Sequence, residues 1–285
     1  MIKFYSPLRY PGGKNKLAKF IALICEKNNI SEHYIEPYAG GASVALYLLL
    51  NSYVKEVTIN DLDRGIYAFW YSVLNDTEKF CRKIKNTEVT VENWEKFEKI
   101  HANARTAKLF DLGFATFFLN RTNRSGIIDG GVIGGKEQKG KDKIDCRFNK
   151  ENLINKIKLI ASYRKNIHLY NLDALKLIDK MQKENKNSNT IFYFDPPYYL
   201  KGPSLYMNHY NENDHGEISR KIQKIKNMRW IVSYDNVPEI RRLYKNFRRK
   251  WYMLMHTAYK IREGKEILFF SDKLVIPRVK NPLLV

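Results

Sequence analysis

The sequence contains few cysteines and no long apolar run, and each absence removes a class of protein. Its three cysteines, Cys25, Cys81 and Cys146, are too scattered to form a disulfide framework or a zinc-binding spacing. No stretch approaches the roughly 18 consecutive apolar residues of a membrane-spanning helix. The N-terminus lacks the apolar segment and the small-residue cleavage site of a secretory signal. We therefore expect a cytoplasmic protein that binds no metal and spans no membrane.

Acidic residues are scarce relative to basic ones. The chain has 50 Lys and Arg against 30 Asp and Glu, which gives a formal net charge of +20. A charge of this size indicates a polyanionic partner, with nucleic acid as the first choice and an anionic membrane surface as the second. The chain also lacks the glycine spacings of dinucleotide sites and of phosphate loops, so neither NAD nor ATP is favoured as a ligand.

The chain is organised around residues 189–199, NTIFYFDPPYY. The apolar, aromatic run predicts a buried strand, and Pro196 and Pro197 end it because proline donates no backbone hydrogen bond. Open α/β sheets bind ligands at the carboxyl ends of their strands, where this strand carries Asp195 and Tyr198. A carboxylate, a backbone carbonyl and an aromatic ring suit a planar base with an exocyclic amine. The alternative is a strand end that has no function.

A strand, a glycine turn and a helix follow one another at residues 34–50, the arrangement in which a nucleotide meets a helix N-terminus. Asp61 ends the next predicted strand, about 20 residues after the glycines, where an acid could accept both hydroxyls of a ribose. Asp173 follows a third predicted strand, where it would either reach the adenine of a nucleoside or cap the next helix.

Near the N-terminus, Gly12 and Gly13 precede a predicted helix. Their backbone amides, together with the Lys14 ammonium, would attract a carboxylate or a phosphate. An ordinary N-terminal turn explains the same pattern equally well.

Between about residues 77 and 165 the alternation of strands and helices lapses, which predicts an insertion. Aromatic residues at helical spacing indicate a small helical core in its first part. Residues 126–140 hold six of the 15 glycines and, with Lys136 and Lys139, predict a basic surface loop. Such a loop would either contact DNA or face solvent, and the net charge favours DNA.

Taken together, the motifs resemble those of the Dam-type, or alpha-group, S-adenosylmethionine-dependent DNA adenine methyltransferases. The resemblance covers nearly the full chain in the family's order. The matching segments are LRYPGGK at 8–14, EPYAGG at 36–41, the ribose acid in Asn60 and Asp61, LNR at 119–121, DPPY at 195–198 and IREGKEIL at 261–268.

The resemblance implies an α/β fold with a doubly wound, mostly parallel sheet of the Rossmann-like methyltransferase type. Residues 1–76 and 166–285 would form the catalytic domain that binds S-adenosylmethionine. Residues 77–165 would form an inserted, mainly helical target-recognition domain.

The resemblance, together with the residue patterns described above, implies which residues form each part of the site. The catalytic set is Asp195, Pro196, Pro197 and Tyr198. The set expected to bind the cofactor is Tyr10, Gly12, Gly13, Lys14, Glu36, Pro37, Tyr38, Gly40, Gly41, Asp61, Asp173 and Asp195. The set expected to bind DNA is Asn120, Arg121, Arg124, Lys136 and Lys139.

The activity implied by the resemblance is transfer of a methyl group to the exocyclic amine of an adenine flipped out of double-stranded DNA, by a monomer. A cognate restriction endonuclease acting on the same site would be a partner if the chain is the modification half of a restriction-modification system. Family members that read GATC share an Asn-Gly-Leu and an arginine-rich hairpin, whereas RSGIIDG stands at 124–130. GATC specificity is therefore not expected.

Three other functions stay open at this stage. Methylation of the cytosine amine needs the same geometry, but related enzymes with that activity usually have Ser in place of Asp195. Methylation of adenine in RNA would use the same motif. The third is a DNA-binding protein with a silent cofactor fold, against which the intact set of Gly40, Asp61 and Asp195 argues.

Overall fold

The structure is a computed structural model that describes residues 5–9, 14–184, 189–199, 210–256 and 262–285, with only the backbone described at 253–256 and 262–265. Within these ranges the chain divides into two compact units. The first comprises Lys14–Leu62 and Asn166–Val285, and the second comprises Asp63–Lys165 together with residues 5–9.

The first unit is built on one sheet of seven strands. They are β1 His33–Glu36, β2 Glu56–Asn60, β3 Ile167–Tyr170, β4 Thr190–Phe194, β5 Arg229–Asp235, β6 Arg248–His256 and β7 Arg262–Phe270. Their order is β3-β2-β1-β4-β5-β7-β6, and β1 to β5 are mutually parallel while β7 runs antiparallel to β5 and β6. This is the doubly wound strand order with β7 inserted beside β5. The predicted doubly wound, mostly parallel sheet is confirmed.

The described residues form ten α-helices. They are α1 Ala18–Lys27, α2 Ser43–Leu50, α3 Arg64–Asn75, α4 Thr77–Asn86, α5 Val91–Ala102, α6 Leu109–Thr122, α7 Lys150–Ser162, α8 Ala174–Glu184, α9 Glu212–Gln223 and α10 Pro238–Leu243. Helices α3 to α7 belong to the second unit and the others to the first.

Strand β4 lies at the centre of the first unit and is buried along its whole length. Phe192 and Phe194 point to one face of the sheet, where their rings stack with centroids 5.1 Å apart in a core completed by residues of α8, α9 and α10. Tyr193 points to the opposite face, stacked on Tyr34 at 6.4 Å. Burial on both faces explains why the strand is a continuous apolar run.

The second unit has an aromatic core of its own. Phe114, Phe117 and Phe118 of α6 are fully buried, as the helical spacing predicts. Phe117 stacks on Phe69 of α3 at 5.8 Å, and Phe118 contacts Phe97 of α5 at 4.7 Å. The unit is therefore mainly helical. Its bounds take in α3, which precedes the predicted insertion at 77–165, and its function as a DNA-binding domain stays a prediction.

Candidate active site

Four acidic residues from the predicted sets lie at one edge of the sheet. Strands β3, β2, β1 and β4 are neighbours and parallel, so their carboxyl ends share that edge. Glu36 ends β1, Asp61 and Asp195 directly follow β2 and β4, and Asp173 lies in the connection from β3 to α8. Doubly wound sheets bind their ligands at this edge.

The loop after β1 is tied to the end of β2. Gly40 and Ala42 have φ values of +46° and +48°, in a region that residues other than glycine rarely adopt. The Gly40 amide donates a hydrogen bond of 2.9 Å to Oδ2 of Asp61. Pro37 and Gly41 are buried beside it. The acid predicted at the ribose thus also holds the glycine loop in place.

Asn60 is a structural residue of this edge whose contacts the sequence analysis did not predict. It is 1% exposed. Its Nδ2 donates to the carbonyls of Pro37 and Leu172, both at 2.9 Å, and its Oδ1 accepts from the Leu172 amide at 2.9 Å. One amide side chain therefore joins the loops that follow β1 and β3. In the sequence Asn60 stands out only as part of a motif, because its hydrogen-bond partners can be identified only once the strand order is known.

Glu36 is buried with part of its carboxylate unsatisfied. Its Oε1 accepts a hydrogen bond of 3.0 Å from the Tyr34 hydroxyl, while Oε2 has no hydrogen-bond partner among the described residues. Burial, with a smaller contribution from the Asp195 carboxylate, raises the pKa of Glu36 to about 8, although the Tyr34 hydroxyl and the Ala45 amide act to lower it. A buried carboxylate oxygen without a partner, beside a glycine loop, fits a ligand that brings a positive charge or an N–H group.

The structure shows other contacts for Asp173 and Tyr38. Oδ1 of Asp173 accepts a hydrogen bond of 2.9 Å from the Leu175 amide, in the first turn of α8. It therefore caps this helix, which was one of its two interpretations. The half-buried Tyr38 shares a hydrogen bond of 2.8 Å with the Tyr210 hydroxyl.

Asp195 is paired with a lysine from the start of the chain. Its Oδ1 lies 3.0 Å from Nζ of Lys14, whose side chain is 4% exposed, whereas the Asp195 side chain is 21% exposed. Lys14 Nζ also donates a hydrogen bond of 2.8 Å to the hydroxyl of Tyr198 and lies 3.5 Å from Oε2 of Glu266. Pro196, Pro197 and Tyr198 are buried. The motif after β4 is thus held by a buried ammonium group.

The charges of this cluster act on one another. The pKa of Asp195 is raised to about 6, because burial and, to a smaller degree, the Glu266 carboxylate raise it by more than Lys14 lowers it. Burial acts to lower the pKa of Lys14, but the carboxylates of Asp195 and Glu266 outweigh it and raise that pKa well above its ordinary value. At neutral pH Asp195 is therefore ionised yet more basic than an ordinary aspartate. Such a carboxylate is a good hydrogen-bond acceptor for an amine.

The remaining members of the N-terminal motif lie beyond the range of description. Tyr10, Gly12 and Gly13, all predicted at the cofactor, are outside the described residues. Lys14 begins the short 3₁₀ turn Lys14–Leu17 that leads into α1.

Asn120, predicted to bind DNA, is fully buried on α6. Its Oδ1 accepts from the Arg9 amide at 2.7 Å, and its Nδ2 donates to the carbonyls of Arg9 at 2.7 Å and Gly126 at 2.8 Å. Gly126 has a φ of +77°, and a Cβ there would lie 2.3 Å from the Arg9 carbonyl oxygen. Asn120 therefore fastens the N-terminal segment and the following loop to α6, and its amide has no surface for DNA.

Arg121 belongs to a cluster of like charges in the second unit. It donates a hydrogen bond to the backbone carbonyl of Arg147. Burial, followed by the nearby guanidinium groups of Arg9 and Arg147, lowers its pKa to about 10. Burial, followed by Arg121, also lowers the pKa of Lys156. Four cationic groups held together in this way are stabilised by an anion such as a phosphate.

The other predicted DNA-binding residues are exposed. Lys136 Nζ lies 3.0 Å from Glu95, and Lys139 Nζ lies 2.6 Å from Glu137, in ion pairs at the surface. Solvent screens such exposed pairs, so the lysines can exchange these partners for another anion. Arg124 is exposed in the 3₁₀ turn that follows α6.

No helix within the described ranges is both long enough and apolar enough to cross a membrane. The same residues contain no group of three or more His, Cys, Asp or Glu side chains placed to hold a metal ion.

The chain is similar to known methyltransferases. Residues 10–257 match the family model of D12 class N6 adenine-specific DNA methyltransferases. The type II methyltransferase M.MjaIII of Methanocaldococcus jannaschii is 26% identical over 263 residues, which cover 84% of this chain and 88% of that protein.

Solved structures with a related arrangement include an S-adenosylmethionine-dependent methyltransferase from Agrobacterium tumefaciens, at a TM-score of 0.42 and 9% identity. That match covers 91% of this chain but 62% of the other. The rRNA methyltransferase aviRa from Streptomyces viridochromogenes matches at a TM-score of 0.38 and 10% identity, over 92% of this chain and 86% of that one.

The family match spans most of the chain and includes the motif after β4, the glycine loop and the acid after β2. It confirms the family resemblance drawn from the sequence. The chain belongs to the D12 class of N6 adenine-specific DNA methyltransferases, which transfer a methyl group from S-adenosylmethionine to the exocyclic amine of adenine in DNA.

Proposed function

We propose that the carboxyl edge of the sheet is the active site of this methyltransferase and that Asp195, Pro196, Pro197 and Tyr198 act on a flipped-out adenine. The observation that carries the proposal is the Asp195 carboxylate. It follows β4 directly, stays 21% exposed and is ion-paired with the buried Lys14. A base inside a duplex cannot reach a side chain at a sheet edge, so the target adenine has to leave the stack, which costs a few kcal/mol.

The amine of adenine is a weak nucleophile because its lone pair is delocalised into the ring. Asp195 accepts a hydrogen bond from one N–H of this amine, and the carbonyl of Pro196 accepts a hydrogen bond from the other. These two bonds draw the nitrogen toward tetrahedral geometry and free its lone pair. When bound, S-adenosylmethionine supplies a methyl group on a positively charged sulfur. Transfer of that methyl group to the nitrogen, with loss of its bond to sulfur, would make the nitrogen acidic, and Asp195 would take the proton.

Residues at the same edge suit the cofactor. The unpartnered Oε2 of Glu36 is a site for a positively charged or N–H-bearing part of it. Asp61, which already holds the Gly40 amide, is the acceptor for the ribose hydroxyls. The rest of the proposed set is Tyr10, Gly12, Gly13, Lys14, Pro37, Tyr38, Gly41 and Asp173.

Tyr198 is the proposed stacking partner of the flipped base. Base–aromatic stacking is worth roughly 1–3 kcal/mol, which would offset part of the cost of flipping. The ring is 3% exposed. A base can therefore contact the face of the Tyr198 ring only after neighbouring residues move. Stacking accordingly follows DNA binding in this proposal.

For the DNA backbone we propose the cluster of Arg9, Arg121, Arg147 and Lys156, together with Arg124, Lys136 and Lys139. Burial, and after it the neighbouring cations, lower the pKa of Arg9, Arg121 and Lys156, which supports this role because a phosphate would relieve the repulsion. Asn120 serves DNA binding indirectly, by holding the segment that carries Arg9.

We further propose that the enzyme acts as a monomer in the cytoplasm, where bacterial, archaeal and phage DNA is accessible. The name of the M. jannaschii relative, a type II methyltransferase, supports a role in restriction-modification beside a cognate endonuclease.

The test measures transfer of tritiated methyl from S-adenosylmethionine to duplex DNA, with the product digested to nucleosides. We expect label in N6-methyladenine for the wild type. The Asp195→Ala variant should lose at least about 100-fold in turnover, because a preorganised acceptor is removed, while its DNA affinity stays near that of the wild type.

Asp179→Asn serves as the matched control. This exposed acid on α8 pairs with Lys221 away from the strand ends, so its removal leaves turnover unchanged. Near-normal turnover in Asp195→Ala would refute the mechanism. If the label appeared only in methylated cytosine or only in RNA, the substrate would be cytosine or RNA rather than adenine in DNA.

A further inference from the structure

Glu266 carries an almost fully buried carboxylate, with 1% of its surface exposed. It lies on β7, directly opposite Tyr252 of β6 in the strand register. Its Oε1 accepts a hydrogen bond from the hydroxyl of Tyr198, and its Oε2 accepts one of 2.5 Å from the hydroxyl of Tyr252. Lys14 Nζ is 3.5 Å from the same Oε2. The carboxylate is thus surrounded by donors.

Burying this charge is expensive, and stability alone does not account for it. The effective penalty for a buried ion is several kcal/mol, and an apolar set of similar volume often stabilises a fold equally well. Two of the three donors, Lys14 and Tyr198, belong to the proposed catalytic cluster. Lys14 lies between two carboxylates, 3.0 Å from Asp195 and 3.5 Å from Glu266.

We propose that Glu266 is a positioning residue for methyl transfer, which divides the charge of Lys14 between two carboxylates and fixes the ring of Tyr198 through its hydroxyl. The inference rests on the proposed role of Asp195. If Lys14 were paired with Asp195 alone, the ammonium would neutralise that carboxylate and weaken it as an acceptor of the amine N–H. Glu266 keeps the acceptor strong without touching the substrate.

The hydroxyl of Tyr198 supports the second half of the proposal. It accepts from Lys14 and donates to Glu266, so its ring plane is set before a base arrives. Tyr252 in turn holds Glu266 and shares a hydrogen bond of 3.2 Å with Ser233 of β5. The positioning network therefore reaches from β5 through β6 and β7 to the motif after β4.

The pH dependence of turnover reports on this network. Wild-type turnover should fall on the acid side with an apparent pKa near that of Asp195, about 6. The ionisable groups that act on Asp195 or adjoin Glu266 are Lys14, Glu36, Tyr193, Tyr198, Tyr234, Asp235, Tyr252 and Glu266. Because the negative charge of Glu266 raises the pKa of Asp195, its removal should move the acid limb to lower pH.

Glu266→Gln tests the proposal, since it keeps the shape of the side chain and removes the charge. We expect kcat at pH 8 to fall about 10- to 100-fold, because a small misplacement of a reacting group can cost up to about 100-fold. The KM for DNA should stay unchanged, and the acid limb should move down by about half a pH unit or more.

Ser271→Ala is the matched control. Ser271 directly follows β7 and accepts a hydrogen bond of 3.2 Å from the Trp230 amide, away from the acidic cluster. This variant should lose stability without moving the acid limb. If Glu266→Gln does not fold, the Glu266→Asp variant tests the proposal instead. It keeps the negative charge but shortens the reach of the side chain to Tyr198 and Tyr252. Its kcat should fall at least about tenfold with the acid limb unchanged.

Wild-type kcat in whichever of Glu266→Gln and Glu266→Asp folds overturns the proposal, as does a loss of kcat in Glu266→Gln with the acid limb unmoved. Failure of the proposed function looks different. In that case the wild type transfers no methyl to DNA, or Asp195→Ala stays active, whatever Glu266 does.

Discussion

At the scale of single residues, the site shows how burial sets the behaviour of similar carboxyl groups. Glu36 and Asp195 end neighbouring strands and are both raised in pKa by burial, to about 8 and about 6. The difference lies in their partners. Asp195 has the Lys14 ammonium at 3.0 Å, whereas Glu36 has a tyrosine hydroxyl and an unpartnered Oε2 among the described atoms. Glu36 is the group whose charge a cofactor would change.

We expect S-adenosylmethionine to release a proton from Glu36 when it binds. A positive ligand favours the ionised carboxylate, so the pKa falls from about 8 and the proton leaves at pH 7.5. Because a group with a pKa of about 8 is about three-quarters protonated at pH 7.5, the release should approach about 0.75 proton. Calorimetry in buffers of different ionisation enthalpy measures it as the difference between the wild type and Glu36→Gln. Equal proton release in the two proteins would remove Glu36 from the cofactor site.

At the scale of elements, α6 and the segments fastened to it show what a sequence can and cannot reveal. The helix and its buried phenylalanines follow from spacing, and β4 with Asp195 follows from an apolar run stopped by two prolines. Asn120 entered the DNA-binding set through its motif. Its amide is instead used by Arg9 and Gly126, and pairings across such sequence distances are not written in local pattern.

The contacts of Glu266 could not be predicted from the sequence for the same reason. Its partners Lys14, Tyr198 and Tyr252 come from three separate segments. They meet because β7 lies between β5 and β6, an order that local sequence pattern does not specify.

Replacing Asn120 with alanine should loosen this element. The change leaves the amide and carbonyl of Arg9 and the carbonyl of Gly126 without their partner, which should lower the free energy of unfolding by about 2 kcal/mol or more. Urea unfolding measures the loss, and hydrogen exchange should speed up at 124–132.

Asn149→Ala is the comparison for that experiment, because it removes only the exposed cap of α7 and should cost about 1 kcal/mol. Unchanged stability in Asn120→Ala, or equal exchange at 124–132 in both variants, would contradict the role given to Asn120.

At the scale of the whole molecule, the net charge of +20 matches a polyanionic substrate. DNA affinity should fall steeply with salt, because each neutralised phosphate contributes about −0.9 to the slope of log affinity against log salt. Arg121→Gln should reduce the magnitude of the slope by about one. Lys55→Gln, which alters an exposed ion pair before β2, should leave it unchanged. Equal slopes for the two variants would exclude Arg121 from the phosphate contacts.

The most direct test of the account is a map of modified bases. The protein is expressed in a host that lacks adenine methylation, beside Asp195→Ala, and the DNA is read by single-molecule sequencing. The account predicts N6-methyladenine within one short sequence, absent with the variant. Unmodified DNA from a folded wild-type protein, or the same modification with Asp195→Ala, would contradict it.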